Sequence, residues 1–239
     1  MTENIHIVIG AGGGIGTKFV EELSKNDSNK VYAFSRSQTH FNLPNVYESS
    51  IDITSENSIQ VAAKSIPEKG AVLSIIVTTG FLHDEHIKPE KSLADLNLNA
   101  LEKVFSINTF APILIAKHFI PLINLDERTI FAAISARVSS VSDNRLGGWY
   151  AYRASKTALN MLIKTLSIET KRKYKNLIVV GLHPGTVDTD LSKPFQVNVP
   201  KGKLFTSEYS VNAMLNVIDG LNDESSGRLF AYDGQEILP

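Results

Sequence analysis

The chain has 239 residues, a formal net charge of −1 and no cysteine. That length can bury a substantial core within one domain. The charge balance leaves no one-signed field for nucleic acid or an anionic membrane, and the missing cysteines exclude disulfides, thiolate metal sites and a cysteine nucleophile.

Short apolar, β-branched runs alternate with amphipathic stretches along the chain. Ile5–Ile9 reads as a buried strand, followed by a helix from about Ile15 to Lys25. Lys30–Ser35 is a second strand and Ser49–Ile53 a short third. Ser55–Ser65 looks helical, with Asp52 and Thr54 as candidate caps. Val72–Thr78 is a nearly continuous apolar strand. Ser92–Ile120 carries a long helical pattern, opened by Ser92 and Asp95 at capping-box spacing. Strand Thr129–Ser135, helix Tyr150–Tyr174, strand Asn176–Leu182, helix Ser207–Leu221 and strand Arg228–Tyr232 complete the pattern. Strands apolar on both faces, alternating with helices, predict an α/β fold: a single-domain, Rossmann-type, doubly wound parallel sheet with helices on both faces. Phe81–Lys91 and Leu191–Thr206 read as irregular, and the second follows a strand end where a substrate lid fits. No run of about 18 apolar residues predicts a membrane span. Ile5–Ile9 is too short for a secretory signal, so a cytoplasmic location is the expectation.

Gly10-Ala11-Gly12-Gly13-Gly14-Ile15-Gly16 joins the first strand to the first helix. Glycines let a backbone approach a pyrophosphate, and a helix N-terminus offers it free N–H groups and a positive dipole end. A tight turn needing glycine for geometry alone is the bland alternative. An acid about 20 residues on would read the ribose 2′-hydroxyl of NAD. The second strand instead ends Ala33-Phe34-Ser35-Arg36-Ser37, and Arg36 suits the 2′-phosphate of NADP. NADP(H) is therefore expected over NAD(H). Asp52 and Ile53 are placed to meet the adenine edge.

Tyr152 and Lys156 are four residues apart, which puts them one turn apart on one helix face. A phenol with a pKa of about 10 is a poor base at neutral pH. A neighbouring ammonium favours the phenolate, and such a tyrosine can pass a proton to or from a carbonyl oxygen. The glycine turn, Tyr152-x-x-x-Lys156 and Pro184-Gly185-Thr186-Val187-Asp188-Thr189-Asp190 occur in that order. Together they resemble the short-chain dehydrogenase/reductase family over essentially the whole chain. Arg145–Lys156, Leu182–Gly185 and Tyr232-Asp233-Gly234 are most similar to its C-factor-like and sniffer-like carbonyl reductases.

The resemblance implies roles. Tyr152 would be the acid/base, and Lys156 would bind the nicotinamide ribose and tune Tyr152. Asn108 would kink its helix and support a proton-relay water. Thr189 would bond the nicotinamide carboxamide, with Gly10, Gly14, Ile15, Gly16, Pro184, Gly185 and Val187 also at the cofactor. Gly80 would let the backbone pass the cofactor ribose. Three departures stand out. The family serine position falls on Ala136. Ser135 precedes it and should face the other way unless a strand-end twist turns it in. Ser139, 13 residues before Tyr152, is the second candidate, with Ser140 adjacent. Thr78 and Thr79 stand where the family has asparagine and alanine, and Ile9 where it has threonine.

His83-Asp84-Glu85-His86 reads as a solvated loop rather than a metal site, and no metal is expected. Lys171-Arg172-Lys173 is the basic end of a helix. Trp149 and Tyr150 are candidates for a substrate pocket, with packing on Leu146 as the alternative. The expected partner is a small carbonyl or alcohol; nucleic acid and membrane are not expected. The resemblance leaves the oligomeric state open: family members often pair through the helices corresponding to Ser92–Ile120 and Tyr150–Tyr174, but close relatives can be monomers. The expected activity is hydride transfer between NADP and that substrate; the alternative is a C-factor-like signalling or cofactor-sensing protein with little turnover.

Overall fold

The computed structural model describes residues 3–68 and 70–239. In chain order the elements begin β1 (Asn4–Ile9), α1 (Gly14–Ser24), β2 (Asn29–Ser35), β3 (Val46–Ser50), α2 (Glu56–Lys64) and β4 (Ala71–Val77). Next come α3 (Leu98–Phe105), a π turn (Ser106–Phe110), α4 (Ala111–Phe119), β5 (Thr129–Ile134), α5 (Tyr150–Thr170) and β6 (Leu177–His183). The chain ends with β7 (Thr186–Val187), β8 (Leu204–Phe205), α6 (Ser207–Gly220) and β9 (Leu229–Ala231). Seven strands form one parallel sheet in the order β3-β2-β1-β4-β5-β6-β9. β7 and β8 pair separately.

The strands read as continuous apolar runs because both sheet faces are covered. Ile5, Ile7, Ile9, Ile75 and Val77 face one side, where Ile59 of α2, Ile115 and Phe119 of α4 and Ile163 of α5 cover them. Val8, Ile76, Ile130 and Val180 face the other, against Phe19 and Val20 of α1 and Val211 and Met214 of α6. The strand order reverses between β1 and β4, which opens a crevice at the carboxyl ends of the strands.

Several boundaries differ from the sequence expectation. The third strand is Val46–Ser50, displaced from Ser49–Ile53 by its pairing of Val31 with Val46. Ser55 caps α2 by accepting from the Ser58 N–H; Asp52 and Thr54 do not, because Asp52 closes its own turn onto Thr54. The Ser92–Ile120 pattern is not one helix. Ser92 and Asp95 do form a capping box, but on a single 3₁₀ turn, and Asn97 caps α3 afresh. α5 ends at Thr170, so Lys171–Lys173 form the turn beyond it. Among the described residues, Leu98–Leu122 has the length and mean hydropathy, 25 residues and 1.3, of a membrane span. Counting unbroken apolar runs missed it. Half of its apolar window is buried, with Ile115, Ala116 and Phe119 in the core, and a core helix meets the same criterion.

Candidate active site

At the crevice the chain leaves β1 through Gly10, whose φ of +96° suits glycine. The Gly10 and Ala11 N–H groups donate to the Phe34 carbonyl, and Thr17 Oγ1 donates to the Ala11 carbonyl. α1 then starts behind Gly13 without a side-chain cap, so its first-turn N–H groups face the crevice unclaimed. A Cβ on Gly16 would sit 2.1 Å from the Gly10 carbonyl oxygen, and one on Gly14 would lie 3.0 Å from Thr189 Cγ2. The turn is thus a cradle of bare backbone, closed from the far side by Thr189.

The cleft has a volume of about 380 Å³, and Gly14, Ile15, Gly16, Gly80, Tyr152, Lys156, Pro184, Gly185, Val187 and Thr189 line it together. Gly10, Arg36, Asp52 and Ile53 do not line it: Gly10 is the first residue after β1, Arg36 is exposed just past the end of β2, and Asp52 and Ile53 follow the end of β3. Asp52 Oδ1 accepts from the Thr54 backbone and hydroxyl, which hold its carboxyl below the usual range. Asn108 sits in the π turn, fully buried. Its amide accepts from the Phe81 N–H at 2.7 Å and donates to the Phe81 carbonyl at 2.8 Å and to Ser155 Oγ at 3.1 Å. The wider helical turn and the loop after Gly80 are therefore pinned to one another. Thr78 Oγ1 donates to the Ile9 carbonyl at 3.0 Å. Thr79 Oγ1 is buried in the cleft with no partner among the described residues.

Lys156 Nζ donates to the Ile134 carbonyl at 2.7 Å and lies 6.0 Å from the centre of the Tyr152 ring. Burial pushes the Tyr152 phenol up to about 12 and the Lys156 ammonium down to about 7. The sequence expectation, a phenol lowered by its neighbour, is therefore reversed. Desolvation disfavours both charges, and the ammonium is turned toward a carbonyl.

The serines share one partner. Ser135 Oγ donates to Asn160 Oδ1 at 2.7 Å, Asn160 Nδ2 donates to Ser139 Oγ at 2.7 Å, and Ser139 Oγ donates to the Ala136 carbonyl at 2.6 Å. Ser135 and Ala136 line the cleft and Ser139 does not. Both hydroxyls are committed to this chain of bonds. Asn160 stands one turn beyond Lys156 on the same face of α5, a spacing legible in the sequence but not used.

An aromatic row from different loops runs up to Tyr152. Trp149 meets its ring edge-on at 6.1 Å, and Phe195 packs on Trp149 at 4.9 Å and on His83 at 5.5 Å. His83 Nε2 lies 3.1 Å from the Leu191 carbonyl oxygen, so the two irregular segments touch across the cleft. The His83–His86 stretch is therefore a contact between loops and not merely solvated; Lys103 holds its Asp84 carboxyl down to about 2. Of the two pocket candidates, Trp149 lines the cleft, whereas Tyr150 is 43% exposed and outside it; Leu146 is 93% exposed. Trp149 adopts a left-handed backbone, φ +52° and ψ +44°, which costs about 1–2 kcal/mol for a residue with a Cβ.

Sequence reasoning passed over His183. It lines the cleft at the end of β6, and among the described residues its buried Nδ1 has no hydrogen-bond partner. Burial, helped by Arg137 and opposed by Asp233, lowers its pKa to about 4. Burial lowers His6 likewise to about 4, against a hydrogen bond to Asn29. Unfolded, both would titrate near 6.5. Between those values the unfolded chain takes up protons that the folded chain refuses. Stability is intact above the unfolded pKa and falls as pH drops toward the folded one, by about 1.4 kcal/mol per pH unit for each histidine. Urea midpoints compared at neutral pH and near pH 5 should show this decline. A flat profile over that range would contradict neutral burial of the pair.

A family model described as short chain dehydrogenase matches residues 4–199. The C-signal of Myxococcus xanthus is 36% identical over 146 residues, covering 61% of this chain and 82% of that protein. The crystal structure of NADPH-bound carbonyl reductase from chicken fatty liver superposes with a TM-score of 0.85 at 25% identity, covering both chains in full. Carbonyl reductase Sniffer of D. melanogaster shares the fold with a TM-score of 0.84 at 21% identity, again over the whole of both chains. With its seven-stranded parallel sheet and its site at the sheet's switch point, the chain belongs to the short-chain dehydrogenase family of oxidoreductases.

Proposed function

We propose that the chain is an NADP-preferring carbonyl reductase or alcohol dehydrogenase, with Tyr152 as the acid/base and Lys156 as its partner. The observation that carries this reading is the shared cleft: the uncapped glycine turn, Lys156 and Tyr152 open into one volume of a size for a small carbonyl compound beside a nicotinamide. The cradle of bare glycine backbone and the unpartnered Thr79 hydroxyl fit a dinucleotide. When bound, it supplies the hydride from its nicotinamide ring.

The residues of the chain divide the remaining work. Gly14, Ile15 and Gly16 offer N–H groups to the pyrophosphate at the start of α1. Arg36 holds the 2′-phosphate, with Asp52 and Ile53 at the adenine edge. Gly80, Pro184, Gly185, Val187 and Thr189 hold the nicotinamide end. Lys156 orients the ribose beside Tyr152, and Asn108 fixes the main chain at Phe81 behind them. Tyr152 donates its phenolic proton to the substrate oxygen in reduction and takes it back in oxidation. With Ala136 at the strand end and both Ser135 and Ser139 bonded through Asn160, Tyr152 carries that oxygen contact.

The direct test is binding of NADPH and NADH to the purified protein, then NADPH oxidation against aldehydes, ketones and diketones. Turnover supports the reading. The two engaged serines and the likeness to the C-signal favour a second one, a cofactor-sensing protein; tight NADPH binding without turnover on that panel selects it. Arg36→Asp should shift the cofactor preference toward NADH by about tenfold or more, since it removes a charge-assisted contact to phosphate and adds repulsion. An unchanged NADPH-to-NADH ratio would show that Arg36 does not read the phosphate.

A further inference from the structure

α5 begins in an unusual way. Gly147, Gly148 and Trp149 are successive left-handed residues, with φ of +64°, +64° and +52°. Trp149 occupies the N-cap position and has no side chain able to serve it. What holds this entry comes from far back in the sequence. The Trp149 N–H donates to the Glu90 main-chain carbonyl at 2.6 Å, and the Ala151 N–H donates to Glu90 Oε2 at 3.2 Å. Glu90 is only 4% exposed, and among the described residues its carboxylate has no cationic side chain within salt-bridge reach. It meets instead the positive end of a 21-residue helix. Gly148 passes so close that a Cβ there would lie 3.3 Å from the Glu90 carbonyl oxygen. Arg153 Nε donates to the Gly148 carbonyl at 3.1 Å and ties the turn from the helix side.

We infer that Glu90 is a positioning residue for Tyr152: from the loop after β4 it caps α5 and locks the left-handed turn that sets the Trp149 and Tyr152 rings. Tyr152 is the third residue of α5, so the direction in which the chain enters the helix fixes where its phenol points. Trp149 carries the same turn to the cleft wall, where it meets both Tyr152 and Phe195. A single buried carboxylate thereby joins the Phe81–Lys91 segment to the start of the helix bearing Tyr152.

This inference rests on the proposed role of Tyr152, but part of its test does not. Trp149 is the only tryptophan in the chain, so intrinsic emission reports on the turn directly. In Glu90→Ala, Trp149 emission should move to the red, and kcat should fall on the order of 10- to 100-fold through misplacement of the phenol. KM and the NADPH dissociation constant should stay within about threefold, because uniform binding is not what is lost. Glu90→Gln keeps an acceptor for the Ala151 N–H and should restore most of kcat. If the alanine variant does not fold, Glu90→Asp serves: one methylene shorter, it withdraws the carboxylate while keeping the main-chain bond, and kcat should fall with KM held. Parental kcat and emission in the alanine or aspartate variant would overturn the inference. So would loss of NADPH affinity in step with kcat, which marks an ordinary fold contact. If the parent protein turns over no carbonyl, the proposed function fails by itself, and Trp149 emission in the variants then decides the clamp alone.

Discussion

Tyr152→Phe should lower NADPH-dependent turnover by about 10²- to 10⁴-fold, the range that one positioned acid/base group contributes. The ring, and with it the packing on Trp149 at 6.1 Å, is retained in phenylalanine, so only the hydroxyl is removed. Lys156 keeps its bond to the Ile134 carbonyl, since it makes none to the tyrosine. NADPH affinity should therefore stay within a few-fold, and the loss should fall on kcat. Single-turnover kinetics beside an NADPH titration separates the two. Parental turnover in this variant would remove Tyr152 from the mechanism.

The second large effect belongs to Gly16. In Gly16→Ala the new Cβ meets the Gly10 carbonyl oxygen at 2.1 Å and the Gly10 carbonyl carbon and Thr78 Oγ1 at 2.7 Å. Two of these atoms are main chain, so no side-chain rotation relieves the clash. α1 must move away from β1, at a cost of about 1–3 kcal/mol or more, and the anion cradle moves with it. The melting temperature and NADPH affinity should fall together. Gly12 and Gly13 are the controls: at each, an added Cβ first meets an atom at 3.5 Å, an ordinary contact. Alanine there should leave the melting temperature near parental. A Gly16→Ala protein with parental stability and affinity would show that the turn is not a close approach.

The sheet was legible because strands covered on both faces must be apolar throughout, and β1, β4, β5 and β6 read so. β3 misled because it is an exposed edge, where apolar residues are not required and pairing with β2 sets the limits. The break ahead of α3 was hidden because apolar spacing runs on through the 3₁₀ turn, and only the cap at Asn97 marks the new helix. Within the site, residues bound to a linear motif were legible: the glycine turn and Tyr152 with Lys156 meet in one cleft. Contacts between distant loops were not. Nothing in the spacing of Glu90, 61 residues before Ala151, announces that they bond, nor that His83 reaches Leu191. The reversal of the tyrosine shift has the same origin, since burial depends on what the rest of the chain stacks around the ring.

The two rims of the sheet bear on how the protein behaves at high concentration. An open row of strand N–H and carbonyl groups invites another chain to add a strand, and proteins blunt such rows with short or polar edges. On one rim β3 is five residues long, exposed and interrupted by Glu48, whose side chain reaches back to the Phe41 N–H. On the other β9 has three residues, and the terminal segment folds over it, with Glu236 bridging antiparallel to Phe230. Neither rim offers a flat apolar template, so the sheet is protected against runaway edge-to-edge growth.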